Sequence, residues 1–158
     1  MACACSNASC ATTLRADFYQ LGAEPVERTI PLLASKIKEA GRKLLVVSED
    51  AAQLRAIGDA LWAERPEEFL ASGRAGEAHA ERQPILLSRD CTAANGARLA
   101  MFADGVWRDE GADFERVFLL FGDAALAGAR AAWRMLGERE DAERRFWKRE
   151  GGRWVEGP

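Results

Sequence analysis

No apolar run in this 158-residue chain approaches the roughly 18 residues needed to cross a bilayer. The N-terminus MACACSNASCATTL has neither a basic start nor a long apolar stretch, so the expectation is a cytoplasmic protein without a membrane span or secretory leader. Histidine is almost missing. The single His79 stands in the loop AGEAHAERQP with no apolar-flanked Ser or Cys beside it to act as a nucleophile, which argues against acid–base or nucleophilic catalysis. Charge of one sign is lacking as well: 22 basic against 25 acidic residues leave a net charge of -3, with no global attraction to nucleic acid or anionic lipid. Cysteine is scarce in the body of the chain, where only Cys91 occurs. Cys3, Cys5 and Cys10 sit in a small-residue segment at the N-terminus, and their C-x-C-x4-C spacing matches no zinc pattern. No metal and no cofactor are predicted, and residues 1–13 read as a flexible extension.

What is present is ordinary globular material, with 48% hydrophobic and 30% charged residues, enough to bury one core in one domain over residues 14–158. Leu14 to Leu21 (LRADFYQL) forms a first strand candidate. From Glu24 to Ala40, Val26, Ile30, Leu33 and Ile37 recur at helical spacing and Gly41 supplies the stop. Pro31 interrupts that helix, which therefore starts near Thr29 or kinks there. Lys43 to Ser48 (KLLVVS) reads as a buried parallel strand. A helix follows from Ala51 to Ala63, with Leu54, Ile57 and Leu61 as its core stripe. Ile85 to Leu87 and Leu99 to Phe102 bracket an Asn95-Gly96 turn signal that closes a hairpin or a wider loop. Val117 to Phe121 is another buried strand, Ala124 to Leu136 a helix, and FWKREGGRWV an antiparallel hairpin at a sheet edge. Alternating strands and helices make this an α/β domain of three layers, a mostly parallel central sheet with helices on both faces.

In such a sheet ligands bind beyond the C-terminal strand ends. The segments there, Gln20 to Glu24 and Ser48 to Asp50, contain neither G-x-G-x-x-G nor G-x-x-x-x-G-K-[ST], so no backbone cradle for phosphates is expected. Glu49 and Asp50 open a helix, where acids cap and offset the dipole, and Asp123 reads the same way. Two features lie outside the core pattern. Trp62 points about 100° away from the centre of the Leu54, Ile57, Leu61 stripe, and Phe69 follows in the connector; they form an exposed aromatic patch, or Phe69 folds back over Trp62. In the last helix Leu126, Ala129, Trp133 and Leu136 form the stripe, with Arg130 and Arg134 on one shoulder. An arginine pair beside an indole suits a carboxylate attached to an apolar group; the other reading is a solvated face with Trp133 buried. From Arg130 onward the chain holds eight basic and six acidic residues, the one electropositive stretch.

The segments ADFYQL, GRKLLVVSED, DALW with Phe69 seven residues on, AGEAHAERQPILL, and FERVFLLF leading into ARAAWRML resemble the chi subunit of bacterial DNA polymerase III in order and spacing, from about Arg15 to Trp154. The resemblance implies a Rossmann-like domain without nucleotide binding and a noncatalytic subunit of the clamp-loader assembly. It implies two protein partners, the psi subunit and the acidic C-terminal tail of single-stranded-DNA-binding protein, with DNA reached only through the latter. Carried over by position, Trp62 and Phe69 face psi, while Arg130, Trp133 and Arg134 receive the tail and Phe121 lines the pocket. Where relatives can continue the helix with a further basic residue, this chain has Gly137, with Arg139 as the stand-in. The rival reading is a small α/β enzyme with a switch-point pocket built from Glu49, Asp50 and His79.

Overall fold

The computed structural model describes residues 13–157. Cys3, Cys5 and Cys10, and all of the expected extension except Thr13, lie outside the described residues. Strand β1 (Leu14–Gly22) leads to helix α1 (Val26–Glu39), then β2 (Leu44–Val47), α2 (Ala51–Ala63), β3 (Ser72–Arg74), β4 (Ile85–Ser88), β5 (Leu99–Phe102), β6 (Arg116–Gly122), α3 (Leu126–Gly137), β7 (Ala142–Glu150) and β8 (Arg153–Glu156). The eight strands form one sheet in the order β3-β4-β2-β5-β6-β1-β7-β8, parallel throughout except for the antiparallel β7–β8 edge.

The central strands are apolar on both faces, as a parallel sheet covered on both sides requires. In β2, Leu44 and Val46 join one core while Leu45 and Val47 join the other, and β6 divides in the same way between Phe118, Leu120 and Val117, Leu119, Phe121. The first core packs under α1 and α2 through Ile30, Leu33, Ile37, Leu54, Ile57 and Leu61. The second packs under α3 through Ala129, Ala132 and Leu136, with Trp107 and Phe114 from loops covering what α3 does not reach. The expected α/β architecture with helices on both faces is what the chain adopts.

Two local expectations are corrected, and the Asn95-Gly96 alternative is decided for the wider loop. Helix α1 begins at Val26, upstream of Pro31, so the late start at Thr29 is wrong; the helix is built through the proline, and Glu27 lacks the N–H that would meet its carbonyl. Asn95-Gly96 closes no hairpin, because β4 and β5 lie on opposite sides of β2. The loop is wide, and the buried Asn95 amide pins it by donating to the carbonyls of Gln83 at 2.9 Å and Leu44 at 3.3 Å. Asp123 opens a short 3-10 turn (Asp123–Ala125) before α3 but makes no capping bond, leaving dipole compensation as its only helical role. The C-terminal hairpin turns at Gly151 and Gly152, both at positive φ, the left-handed pair that a two-residue loop of matching twist demands.

β1 carries two different faces. Phe18 points to the α3 side, whereas Tyr19 stacks on Trp147 at 5.9 Å and meets Trp154 edge-on at 5.1 Å. Burial, and then the nearby Asp17 charge, push the Tyr19 phenol up to about 12, against the opposing effect of Arg116 and Arg15. A phenol that ionises near 10 in the unfolded chain and later in the fold draws stability away as pH rises between those values. Tyr19 is the chain's only tyrosine. Its phenolate absorbance is therefore expected to appear only above pH ~11 in the folded protein, with stability falling by on the order of 2 kcal/mol between pH ~10 and ~12 in denaturant titrations.

Candidate functional site

At the C-terminal ends of β2 and β5 the polar groups are engaged with one another. Asp50 caps α2, its Oδ1 accepting from the N–H of Ala52 at 2.9 Å and of Gln53 at 3.3 Å. Asp104 accepts two hydrogen bonds from Arg108, at 3.0 and 2.7 Å, and a third from the backbone of Glu49 at 3.1 Å. Burial alone would raise the Asp104 carboxyl; the hydrogen bonds from Arg108 and Glu49 outweigh it and hold the group below its usual range. The exposed Glu49 carboxylate lies 3.9 Å from the same guanidinium. His79 is exposed, at φ 65, ahead of the 3-10 turn Ala80–Arg82. Among the described residues no group of three His, Cys, Asp or Glu is placed to hold a metal, and no helix is long and apolar enough to cross a membrane. Burial pushes the half-buried Cys91 thiol up to about 11, and the charge of Glu110 adds to the shift, so it is a poor nucleophile at neutral pH.

Trp62 on α2 and Phe69 in the connector are 63% and 72% exposed, so Phe69 does not shield Trp62. The cause is local. Leu70 is buried, the backbone at Phe69 is left-handed (φ 49), and Lys38 donates to the carbonyls of Glu68 and Phe69. A non-glycine residue held in that conformation costs on the order of 1 kcal/mol, and here it directs an aromatic ring into solvent.

The second feature is a cavity of about 250 Å³ between α3 and the sheet. Its walls are Phe18 on β1, Phe121 on β6, Phe146 on β7, and Leu126, Arg130 and Trp133 on α3. The small Ala129 and Ala132 bring α3 close to the sheet, and Leu136 is buried in the core beneath the helix. This rotates the helix from the expected stripe: Leu126 and Trp133 are half-buried instead of fully inside. The Trp133 indole meets Phe18 edge-on at 5.1 Å and Phe146 at 6.3 Å, forming one wall of an open aromatic slot. Phe121, only 3% exposed, lies at the back. Arg130 stands on the rim, and Arg134 is exposed one turn further along α3, outside the lining. Neither has a carboxylate within 4 Å among the described residues.

Gly137 acquires a reason. A Cβ there would lie 2.6 Å from the Arg144 guanidinium carbon, so the missing side chain makes room for a cation arriving from β7. Arg144 lies 4.4 Å from the centre of the Trp133 ring and donates to the Trp133 carbonyl at 2.5 Å. Arg139, the expected stand-in, is paired with Asp141 by two hydrogen bonds of 2.9 and 2.8 Å. Nothing in the local sequence marks Phe18, Phe146 or Arg144 as site residues. Strand alternation places Phe18 on the α3 face with Leu14 and Ala16, but the approach of β7 is tertiary and leaves no local signal.

Fold and surface define a class: a parallel α/β domain whose β2 and β5 ends are closed by internal ion pairs and whose aromatic opening lies beside a helix. The model of the family described as DNA polymerase III chi subunit, HolC, matches residues 14–142, and the chain belongs to that family. The match ends at the first residue of β7, so Arg144 and Phe146 come from beyond it. A comparison with curated proteins gave no match.

The structural roles separate in an unfolding experiment. Asp50→Ala is expected to cost about 1 kcal/mol through loss of the α2 cap. Trp62→Ala is expected to stay within about 0.5 kcal/mol, since its ring is largely in water. Both are read from the denaturant midpoint.

Proposed function

We propose that the slot beside α3 receives the acidic C-terminal tail of single-stranded-DNA-binding protein, and that Trp62 and Phe69 pair with the psi subunit. The chain acts as a noncatalytic, cytoplasmic subunit linking the replicase to coated DNA, through one domain over residues 14–158. The observation that carries this reading is an aromatic slot bordered by guanidinium groups without acidic partners. Arg130 and Arg134 project from one side of α3, and Arg144 backs the indole from β7.

The chemistry is recognition without reaction. A chain ending in an apolar residue presents a side chain and a terminal carboxylate on the same carbon. The side chain enters between Phe18, Phe121, Phe146 and Trp133, while Arg130 grips the carboxylate at the rim in bidentate fashion. Arg134 neutralises acids further back along the peptide. Arg144 stays on Trp133, holds the ring's orientation and adds positive potential behind it. A short peptide with one buried side chain and a few rim charges binds at about micromolar strength, ~8 kcal/mol. Many tails on one coated strand raise the effective concentration, so a modest contact suffices to tether. The exposed Trp62 and Phe69 are the residue types that anchor protein interfaces, and a structured loop presents them.

Calorimetric titration with a peptide ending in several acids and phenylalanine is expected to give micromolar binding that weakens as salt rises. Arg130→Ala is expected to lower the affinity by about tenfold or more, and Arg134→Ala by less, through loss of charge-assisted hydrogen bonds. No binding by the parent protein at low salt would overturn the tail reading. Failure of psi to co-purify with the parent, or its full retention by a Trp62→Ala, Phe69→Ala double variant, would overturn the pairing.

A further inference from the structure

The opposite face of the sheet, beside α1, holds a larger cavity of about 460 Å³ that none of the chemistry above uses. Its construction begins with register. Arg15 on β1 and Arg116 on β6 are partners on adjacent parallel strands, so their side chains stand next to each other on one face. Two residues along β1, the fully buried Asp17 accepts from Nε of Arg15 at 3.1 Å, from Nε of Arg116 at 2.6 Å and from the Trp147 indole at 3.0 Å. One carboxylate thus fixes two guanidinium groups, and its single negative charge offsets only one of them. The Arg116 guanidinium also sits over the Phe118 ring, its carbon 4.3 Å from the ring centre.

Lys36 on α1 and Arg42 just beyond it also line this cavity. Arg42 shares Glu115 with Arg98, at 3.0 and 3.3 Å, and Lys36 has no carboxylate within 4 Å among the described residues. Four cations therefore line the space against two carboxylates, Glu115 at its edge and Asp17 beneath the floor, a local positive excess in a chain whose net charge is -3. Asp17 engages both Nε and Nη2 of Arg15, the latter at 3.3 Å, which leaves Nη1 and the Lys36 ammonium without a hydrogen bond to the described residues. The remaining wall is apolar: Leu33, Ile37, Tyr19 and Trp147.

We propose that this cavity, away from the strand ends where no phosphate cradle is expected, binds the phosphate of a nucleotide unit, either free or within a single strand of nucleic acid, in departure from the lack of nucleotide binding and the purely indirect DNA contact that the resemblance implies. Two fixed guanidiniums and an ammonium around one space suit a phosphate, whose several oxygens accept from several donors at once. The cavity exceeds what one phosphate fills, and its aromatic and aliphatic wall suits the attached sugar and base. Because Asp17 and Phe118 hold the arginines in place beforehand, little side-chain ordering remains to oppose binding. The site lies across the sheet from the slot beside α3, so the two ligands do not compete.

Fluorescence anisotropy of a labelled oligothymidylate with the full chain at low salt, competed by thymidine monophosphate and by inorganic phosphate, tests the proposal and separates the sources. Saturable, salt-sensitive binding of the oligonucleotide, displaced poorly by the mononucleotide, assigns the site to a strand; effective displacement by the mononucleotide assigns it to a free nucleotide. Lys36→Glu, an exposed substitution outside the Asp17 network, is expected to weaken binding about tenfold or more by reversing a phosphate contact. Arg15→Gln is expected to act in the same direction, and Arg130→Ala to leave binding unchanged. The proposal is overturned by absence of binding, by inorganic phosphate displacing the oligonucleotide effectively and as well as the mononucleotide does, by unchanged binding in Lys36→Glu, or by equal loss in Arg130→Ala.

Discussion

A sheet of eight strands has two wide faces to bury, and the described chain brings only three helices to them. Two of those helices pack on one face, and α3 alone packs on the other. Loop residues such as Trp107 and Phe114 cover the strands near β5, but beside α3 the rings of Phe18, Phe121 and Phe146 are left to a single helix with alanines at its contact. Trp133 is wide enough to brace that gap and too narrow to fill it. The half-buried indole is therefore a consequence of coverage, and the slot next to it follows from the same shortage.

The charges divide between the strand ends and the flanks of the sheet. α/β domains commonly bind ligands at the strand ends, yet here Asp104, Arg108 and Glu49 meet one another there, and Asp50 is occupied by the cap of α2. On the flanks of the sheet, by contrast, cations stand without equal numbers of acids. Net charge conceals this arrangement, because acidic residues elsewhere on the chain cancel the local excess.

Much of the architecture was legible in the residues. Helix α2 runs from Ala51 to Ala63 as its apolar spacing and its aspartate cap indicated, and the runs LLVV and VFLLF are buried parallel strands. β3 went unseen because Ser72, Gly73 and Arg74 carry no apolar alternation; pairing with β4 alone makes them a strand. The turn at Asn95-Gly96 signalled a reversal but not which strands would pair across it. On α3, Arg130, Trp133 and Arg134 lie near one another because helical spacing puts them there. The contributions of Phe18, Phe146 and Arg144 depend on β7 pairing with β1, a long-range event that no local pattern encodes. Gly137 shows the difference most clearly: along the sequence it is a missing cation, and in the fold it is the space a cation from β7 occupies.

The central claim is that Trp133 forms the wall of a slot recognising a free carboxylate attached to an apolar side chain. The most direct measurement follows the Trp133 indole N–H by nitrogen–proton NMR, its signal assigned with Trp133→Phe, while two peptides are added in turn. Both end in acids and phenylalanine, one with a free terminal carboxylate and one amidated. The account predicts a saturable shift of that signal with the free acid and a much weaker response to the amide. An indole signal that ignores both peptides, or responds equally to both, would contradict it.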